Sequence, residues 1–210
     1  MQDGDLDACL TLAPRLVAAD GGAAHCLARG ILPEAVIGDM DSCPDAVLQG
    51  IPPGRVHAIA EQDSTDFDKA LRNIDAPLVL GLGFTGARID HELACYNALL
   101  RHADRPCLLL GGSDLVFLAP PAIELPLAPG TRVSLFPLAR LGGRSRGLRW
   151  PIEGLSFDPA GRVGTSNAAE GPLGLEFPEP GMLVILPRQC LGVAVRALLA
   201  PPAGSWCARG

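Results

Sequence analysis

The chain lacks any paired cysteine motif. Its seven cysteines, Cys9, Cys26, Cys43, Cys95, Cys107, Cys190 and Cys207, include no Cys-x-x-Cys pair and no Cys/His grouping at zinc spacing. An odd, scattered set argues against a disulfide scaffold and a structural zinc site, and favours reduced thiols in the cytoplasm. No apolar run approaches the roughly 18 residues that cross a bilayer. The start, Met1-Gln2-Asp3-Gly4-Asp5, has neither the basic region nor the apolar core of a secretory signal. Basic charge is also scarce: the formal net charge is -6 and Lys69 is the single lysine. That balance argues against nucleic acid or an anionic membrane as partner and favours a small molecule. A Walker-type phosphate loop is missing, as are the protein-kinase signatures, so any phosphate chemistry falls to acids and a metal.

What is present divides in two. With 210 residues, 48% of them apolar, the chain is long enough for two small domains. Up to about residue 118, apolar runs at 16–19, 35–37, 78–80 and 108–110 each end in Gly or Asp, the pattern of buried parallel strands. Between them, Phe67, Ala70, Leu71 and Ile74 form one helical stripe, and Ile89, Leu93, Tyr96 and Leu100 another. The expectation is an N-terminal open, mostly parallel α/β sheet domain over 1–118. After Ala119-Pro120-Pro121 come short alternating segments at 133–136, 174–177 and 182–185, expected to form a small all-β domain over 119–210.

Four acidic segments carry the chemistry. Asp20-Gly21-Gly22 follows the first strand, where glycines let a ligand approach the backbone and a helix start offers unpaired N–H groups. In Gly38-Asp39-Met40-Asp41-Ser42, extended backbone would turn both carboxylates to one side, suiting Mg²⁺, although an exposed acidic loop would read the same. In Gln62-Asp63-Ser64-Thr65-Asp66-Phe67-Asp68-Lys69, Thr65 caps a helix whose first turn offers Asp66 to a metal and Lys69 to phosphate. Arg88-Ile89-Asp90-His91 supplies an arginine for phosphate and a carboxylate for metal or a hydroxyl. The preceding Gly81-Leu82-Gly83-Phe84-Thr85-Gly86 matches a dinucleotide fingerprint, which leaves a nicotinamide-dependent oxidoreductase as an alternative.

In this order, the four segments resemble the thiamine pyrophosphokinase family, as do Arg146-Gly147-Leu148-Arg149-Trp150 and Gly164-Thr165-Ser166-Asn167. The resemblance implies an α/β catalytic domain, a β-sandwich, and a homodimer with active sites between subunits. It implies diphosphate transfer from ATP to the thiamine hydroxyl with Mg²⁺ held by Asp39, Asp41 and Asp66, and Asp20 and Asp90 completing the acidic floor. Thr65, Lys69 and Arg88 would contact ATP near Gly21 and Gly22; Gln62 and Asp66 would face the hydroxyl. Trp150 would stack on thiamine beside Ser166 and Asn167. The chain departs from the pattern at Ala87, at Cys95, and at the polar stretch 1–7, where an apolar first strand is usual. The absent strand leaves a non-catalytic sensor as a second alternative. The tail from Pro201 onward matches no family element and is expected to be disordered.

Overall fold

The computed structural model describes residues 2–201 and 203–206. The chain forms two compact units, one of Gly4–Asp75 and one of Ala76 onward together with the residues before Gly4.

In the first unit, α1 (Asp5–Leu12) leads into β1 (Val17–Ala19), α2 (Gly22–Leu27), β2 (Ala35–Gly38), α3 (Asp45–Gln49), β3 (Val56–Ala58) and α4 (Asp66–Asn73). The strands form a parallel sheet in the order β1-β2-β3. The polar start, read as a missing strand, contributes instead to a helix that buries Leu6 and Cys9. Ala18, Ala23, Cys26, Val36, Cys43 and Ile51 make the buried core, with Leu27, Val47 and Val56 packed against it. The small residues Ala18 and Ala23 let α2 lie close to β1, while α4 packs on β1 and β2.

The second unit starts with β4 (Val79–Leu82), α5 (Ile89–Arg101), β5 (Cys107–Leu110), β6 (Asp114–Leu118) and β7 (Ala122–Leu125). It continues through β8 (Arg132–Pro137), β9 (Arg144–Leu148), β10 (Gly164–Glu176), β11 (Met182–Pro187) and α6 (Leu191–Leu199). Its eight strands run β4-β5-β6-β11-β8-β10-β7, with β9 on β10. Only β4 and β5 pair in parallel; every other pairing is antiparallel.

The expected open parallel sheet is therefore divided. Its third and fourth apolar runs, β4 and β5, join the mixed sheet of the second unit, which passes through residue 118 without a break. The change in sequence pattern marks where crossover helices stop, whereas the sheet continues by antiparallel pairing of β5 with β6. The stripe on α5 also differs from expectation. Ile89 and Leu93 are 75% and 60% exposed, and the buried residues are Cys95, Ala98 and Leu99. The tail is placed up to Trp206, whose indole N–H donates to the Ala119 carbonyl at 2.9 Å. Pro202 and residues 207–210, part of the segment expected to be disordered, lie outside the described residues. Among the described residues, no helix is long and apolar enough to cross a membrane.

Candidate active site

In the first unit, three strand and helix ends deliver carboxylates to one place. Asp20 follows β1, Asp39 follows β2, and Asp66 opens α4. Their oxygens lie within 4.8 Å of one another. Such closeness requires Gly38, because a Cβ there would stand 2.8 Å from the Asp20 Cβ and 3.0 Å from Asp66 Oδ1. A methyl group would push the two acids apart.

Asp20 is 3% exposed and adopts a left-handed backbone with φ of 39°. Its Oδ2 accepts the Ser42 N–H at 3.1 Å, while Oδ1 is buried without a partner. Burial, opposed by the Ser42 bond and reinforced by Asp66, Asp41 and Asp39, raises its pKa above the usual carboxylate value. A buried oxygen with no donor beside two further carboxylates is the chemistry that a hard divalent cation satisfies. The donor set, all oxygen, suits magnesium.

Lys69 lies beneath this group. Its Nζ donates to Asp39 Oδ2 at 3.0 Å and to Asp66 Oδ1 at 3.2 Å, and its side chain is 1% exposed. Burial works against the ammonium, but the bonds to Asp39 and Asp66 outweigh it and its pKa stands above the ordinary lysine value. The Lys69 bond is also the main reason that the Asp39 carboxyl titrates below the normal range. Thr65 caps α4 as expected, its hydroxyl accepting the Asp68 N–H at 3.3 Å. Gln62 Nε2 donates to Asp39 Oδ2 at 3.3 Å.

Asp41 is not one of the three converging acids. The extended backbone that would have aligned it with Asp39 is interrupted at Met40, which has a φ of 67°. A left-handed residue turns the chain, so the two-residue alternation fails. The Asp41 N–H then bonds back to Asp39 Oδ1 at 3.2 Å, and its carboxylate accepts from the Ser42 hydroxyl at 2.9 Å. Gly21 and Gly22 occupy the start of α2, where Gly21 leaves room for the Ser42 carbonyl 3.0 Å from where its Cβ would be.

In the second unit, Arg88 Nη2 donates to Asp90 Oδ2 at 2.6 Å, and this guanidinium holds the Asp90 carboxyl below its ordinary pKa. Sequence reasoning passed over Glu92, which secures the loop ahead of them. Its Oε2 accepts the Gly86 N–H at 2.8 Å and its Oε1 the Tyr96 hydroxyl at 2.6 Å. Gly83 and Gly86 both have positive φ, 82° and 83°. Trp150 lies just past β9, 56% exposed, with the Arg149 guanidinium carbon 5.6 Å from its ring centre. Ser166 has a φ of 63° and donates its N–H to the Ser134 hydroxyl at 3.1 Å. Asn167 bonds the Trp150 backbone through both ends of its amide, at 3.2 and 2.7 Å.

Residues 6–109 match the family described as "Thiamin pyrophosphokinase, catalytic domain". That stretch includes Gly81–Gly86, which removes the reason to read the loop as a dinucleotide fingerprint. Thiamine pyrophosphokinase 1 of Oryza sativa subsp. japonica is 29% identical over 158 residues, 66% of this chain and 60% of the relative. Thiamine pyrophosphokinase 3 of the same plant is 27% identical over 66% of this chain and 59% of the relative. The chain thus spans about 60% of the length of these curated relatives. Among solved structures, thiamin pyrophosphokinase from Geobacillus thermodenitrificans superposes with a TM-score of 0.65 at 25% identity, covering 81% of this chain and 84% of that one. The Candida albicans structure gives 0.73 at 17% identity over 87% and 84%, a likeness of fold. Residues 6–109 belong to the thiamin pyrophosphokinase family, a family of transferases, and the chain superposes on a solved structure of that name over most of its length.

Proposed function

We propose that this protein transfers a diphosphate group from ATP to the hydroxyl of thiamine, giving thiamine diphosphate and AMP. The observation that carries this reading is the convergence of Asp20, Asp39 and Asp66, with the buried, unpartnered Asp20 Oδ1 among them. Names of relatives support the substrates.

Asp39 and Asp66, with Asp20 beside them, would hold magnesium. Bound there, it would neutralise charge on the transferring diphosphate. Lys69 keeps Asp39 and Asp66 oriented through its two hydrogen bonds. Thr65, Gly21 and Gly22 contribute to the ATP side; Arg88, whose orientation is held by Asp90, offers its guanidinium to phosphate. Gln62 and Asp66 orient the thiamine hydroxyl. Its oxygen bonds the β-phosphorus while the bond from that phosphorus to the α-phosphate oxygen breaks; the electron pair leaves on AMP. The hydroxyl proton passes to a carboxylate of the acidic group.

Trp150 serves as a platform for the cationic thiazolium, with Ser166 and Asn167 beside it. An indole face attracts such a cation by about 0.5 to 2 kcal/mol. The division of labour between an α/β catalytic part and a β-rich thiamine-binding part belongs to the same proposal. So does the homodimer, for which exposed Ile89, Leu93 and Trp150 offer apolar surface to cover. A cytoplasmic location accords with the buried thiols of Cys9, Cys26, Cys43, Cys95, Cys107 and Cys190, none of them in a disulfide.

The direct test incubates purified protein with ATP, Mg²⁺ and thiamine and measures AMP and thiamine diphosphate by mass. Both products should form in equal amounts, and Asp39→Asn should abolish them while the fold persists. A folded wild-type protein that yields neither product would refute the reading.

A further inference from the structure

We propose that Asn167 is a positioning residue: its side-chain amide holds the backbone of Trp150, and any effect on the acceptor runs through that tryptophan. The ladder between β9 and β10 shows why such a device is needed. Leu148 pairs with Ala169, and one step on the Arg149 N–H still reaches the Ala168 carbonyl at 2.8 Å. There β10 turns away, because Ser166 takes a left-handed conformation and gives its N–H to the Ser134 hydroxyl. The pairing of β10 with β8 shifts register over the same residues, between Gly164 and Asn167.

The backbone of Trp150 has thus run past the last regular rung. Asn167 supplies the missing one. Its Oδ1 accepts the Trp150 N–H at 3.2 Å, and its Nδ2 donates to the Trp150 carbonyl at 2.7 Å. A carboxamide carries the same donor and acceptor as a peptide unit, so it can stand in for a strand residue. The same Oδ1 accepts the Ala168 N–H at 2.8 Å, which fixes the side chain on its own strand. Both lone pairs of that oxygen are thereby used, and one of the two Nδ2 hydrogens. Little of the amide is left to bind a ligand. Its work is to hold a large apolar ring out in water, 56% exposed with Arg149 over it.

The functional half of this inference rests on Trp150 being the thiamine platform, so the test separates the two. In a Trp206→Phe background, Trp150 is the only tryptophan of the full chain, since the sequence has two. Asn167→Ala should then lower the fluorescence anisotropy of Trp150 and make it more accessible to acrylamide. It should raise the KM for thiamine about five- to tenfold, as loss of ordering hydrogen bonds would, with the KM for ATP within about twofold. Asn167→Asp keeps the acceptor and loses the donor, so it should fall between the two; it also serves if the alanine variant folds poorly. In a Trp150→Ala background, Asn167→Ala should add nothing to the thiamine KM.

Unchanged anisotropy and quenching in both Asn167 variants would overturn the proposal. A further rise in thiamine KM without the indole would overturn it too, by showing direct contact. If Trp150→Ala itself leaves thiamine KM unaltered while Asn167→Ala loosens the indole, the brace stands and the platform reading falls.

Discussion

Lys69 Nζ lies 3.0 Å from Asp39 Oδ2 with its side chain 1% exposed, so the chain's single lysine is a buried counterion to the acidic group. Lys69→Met removes that cation and leaves Asp39 and Asp66 facing each other. Removing one partner of a buried pair is strongly destabilising; the loss is moderated here because the Asp66 side chain is 31% exposed and partly screened. Thermal denaturation should show the loss, and millimolar Mg²⁺ should restore part of it. A melting temperature equal to that of the wild type would contradict the counterion role.

Asp20→Asn should act in opposite directions with and without metal. The folded-state pKa of Asp20 is raised, so its ionisation works against folding as pH rises above the ordinary value of 3.8. At neutral pH in chelator, the asparagine variant should therefore be at least as stable as the wild type. Stabilisation by added Mg²⁺ should shrink, since a donor oxygen is lost. Melting curves in EDTA and in Mg²⁺ read both effects, and a larger Mg²⁺ shift in the variant would refute the assignment.

Trp150→Ala should raise the KM for thiamine between about 2-fold and 30-fold, the equivalent of 0.5 to 2 kcal/mol of lost cation attraction. The KM for ATP should stay near its original value. Steady-state kinetics with each substrate varied in turn makes the comparison, and equal changes in both constants would count against stacking.

Glu153 ties the turn after Trp150 to β9, accepting the Ser145 N–H at 2.7 Å and the Ser145 hydroxyl at 3.3 Å. The Ser145 N–H, chiefly, depresses its pKa from the ordinary 4.5. A depressed carboxyl stabilises the fold above its unfolded value, and that contribution is lost as pH falls through the folded value. Glu153→Gln should thus lower the urea midpoint at pH 7, and the gap to wild type should close below pH 4.5. A gap that persists undiminished at pH 3 would show that ionisation plays no part.

Much of this was readable beforehand because it is local. The apolar runs at 16–19, 35–37, 78–80 and 108–110 gave the strands β1, β2, β4 and β5, and Thr65 capped α4. Those outcomes depend on side-chain periodicity and on hydrogen bonds within a few residues. Asp41 shows where local reasoning stops: alternation assumes extended backbone, and Met40 at φ 67° violates it. The α5 stripe failed for a different reason. Periodicity finds an apolar face, but the sheet decides which face it covers, and Ile89 and Leu93 stayed outside.

The order of acidic segments along the chain, their residue types and their family likeness were determined by the sequence alone, since each is a property of neighbours in the chain. Which acids meet was decided only by the tertiary structure. Asp20, Asp39 and Asp66 belong to three elements whose approach depends on sheet order and on the absence of a side chain at Gly38. The same holds for Lys69 beneath them and for Asn167 beneath Trp150, because a hydrogen bond between distant segments exists only once the chain has folded back on itself.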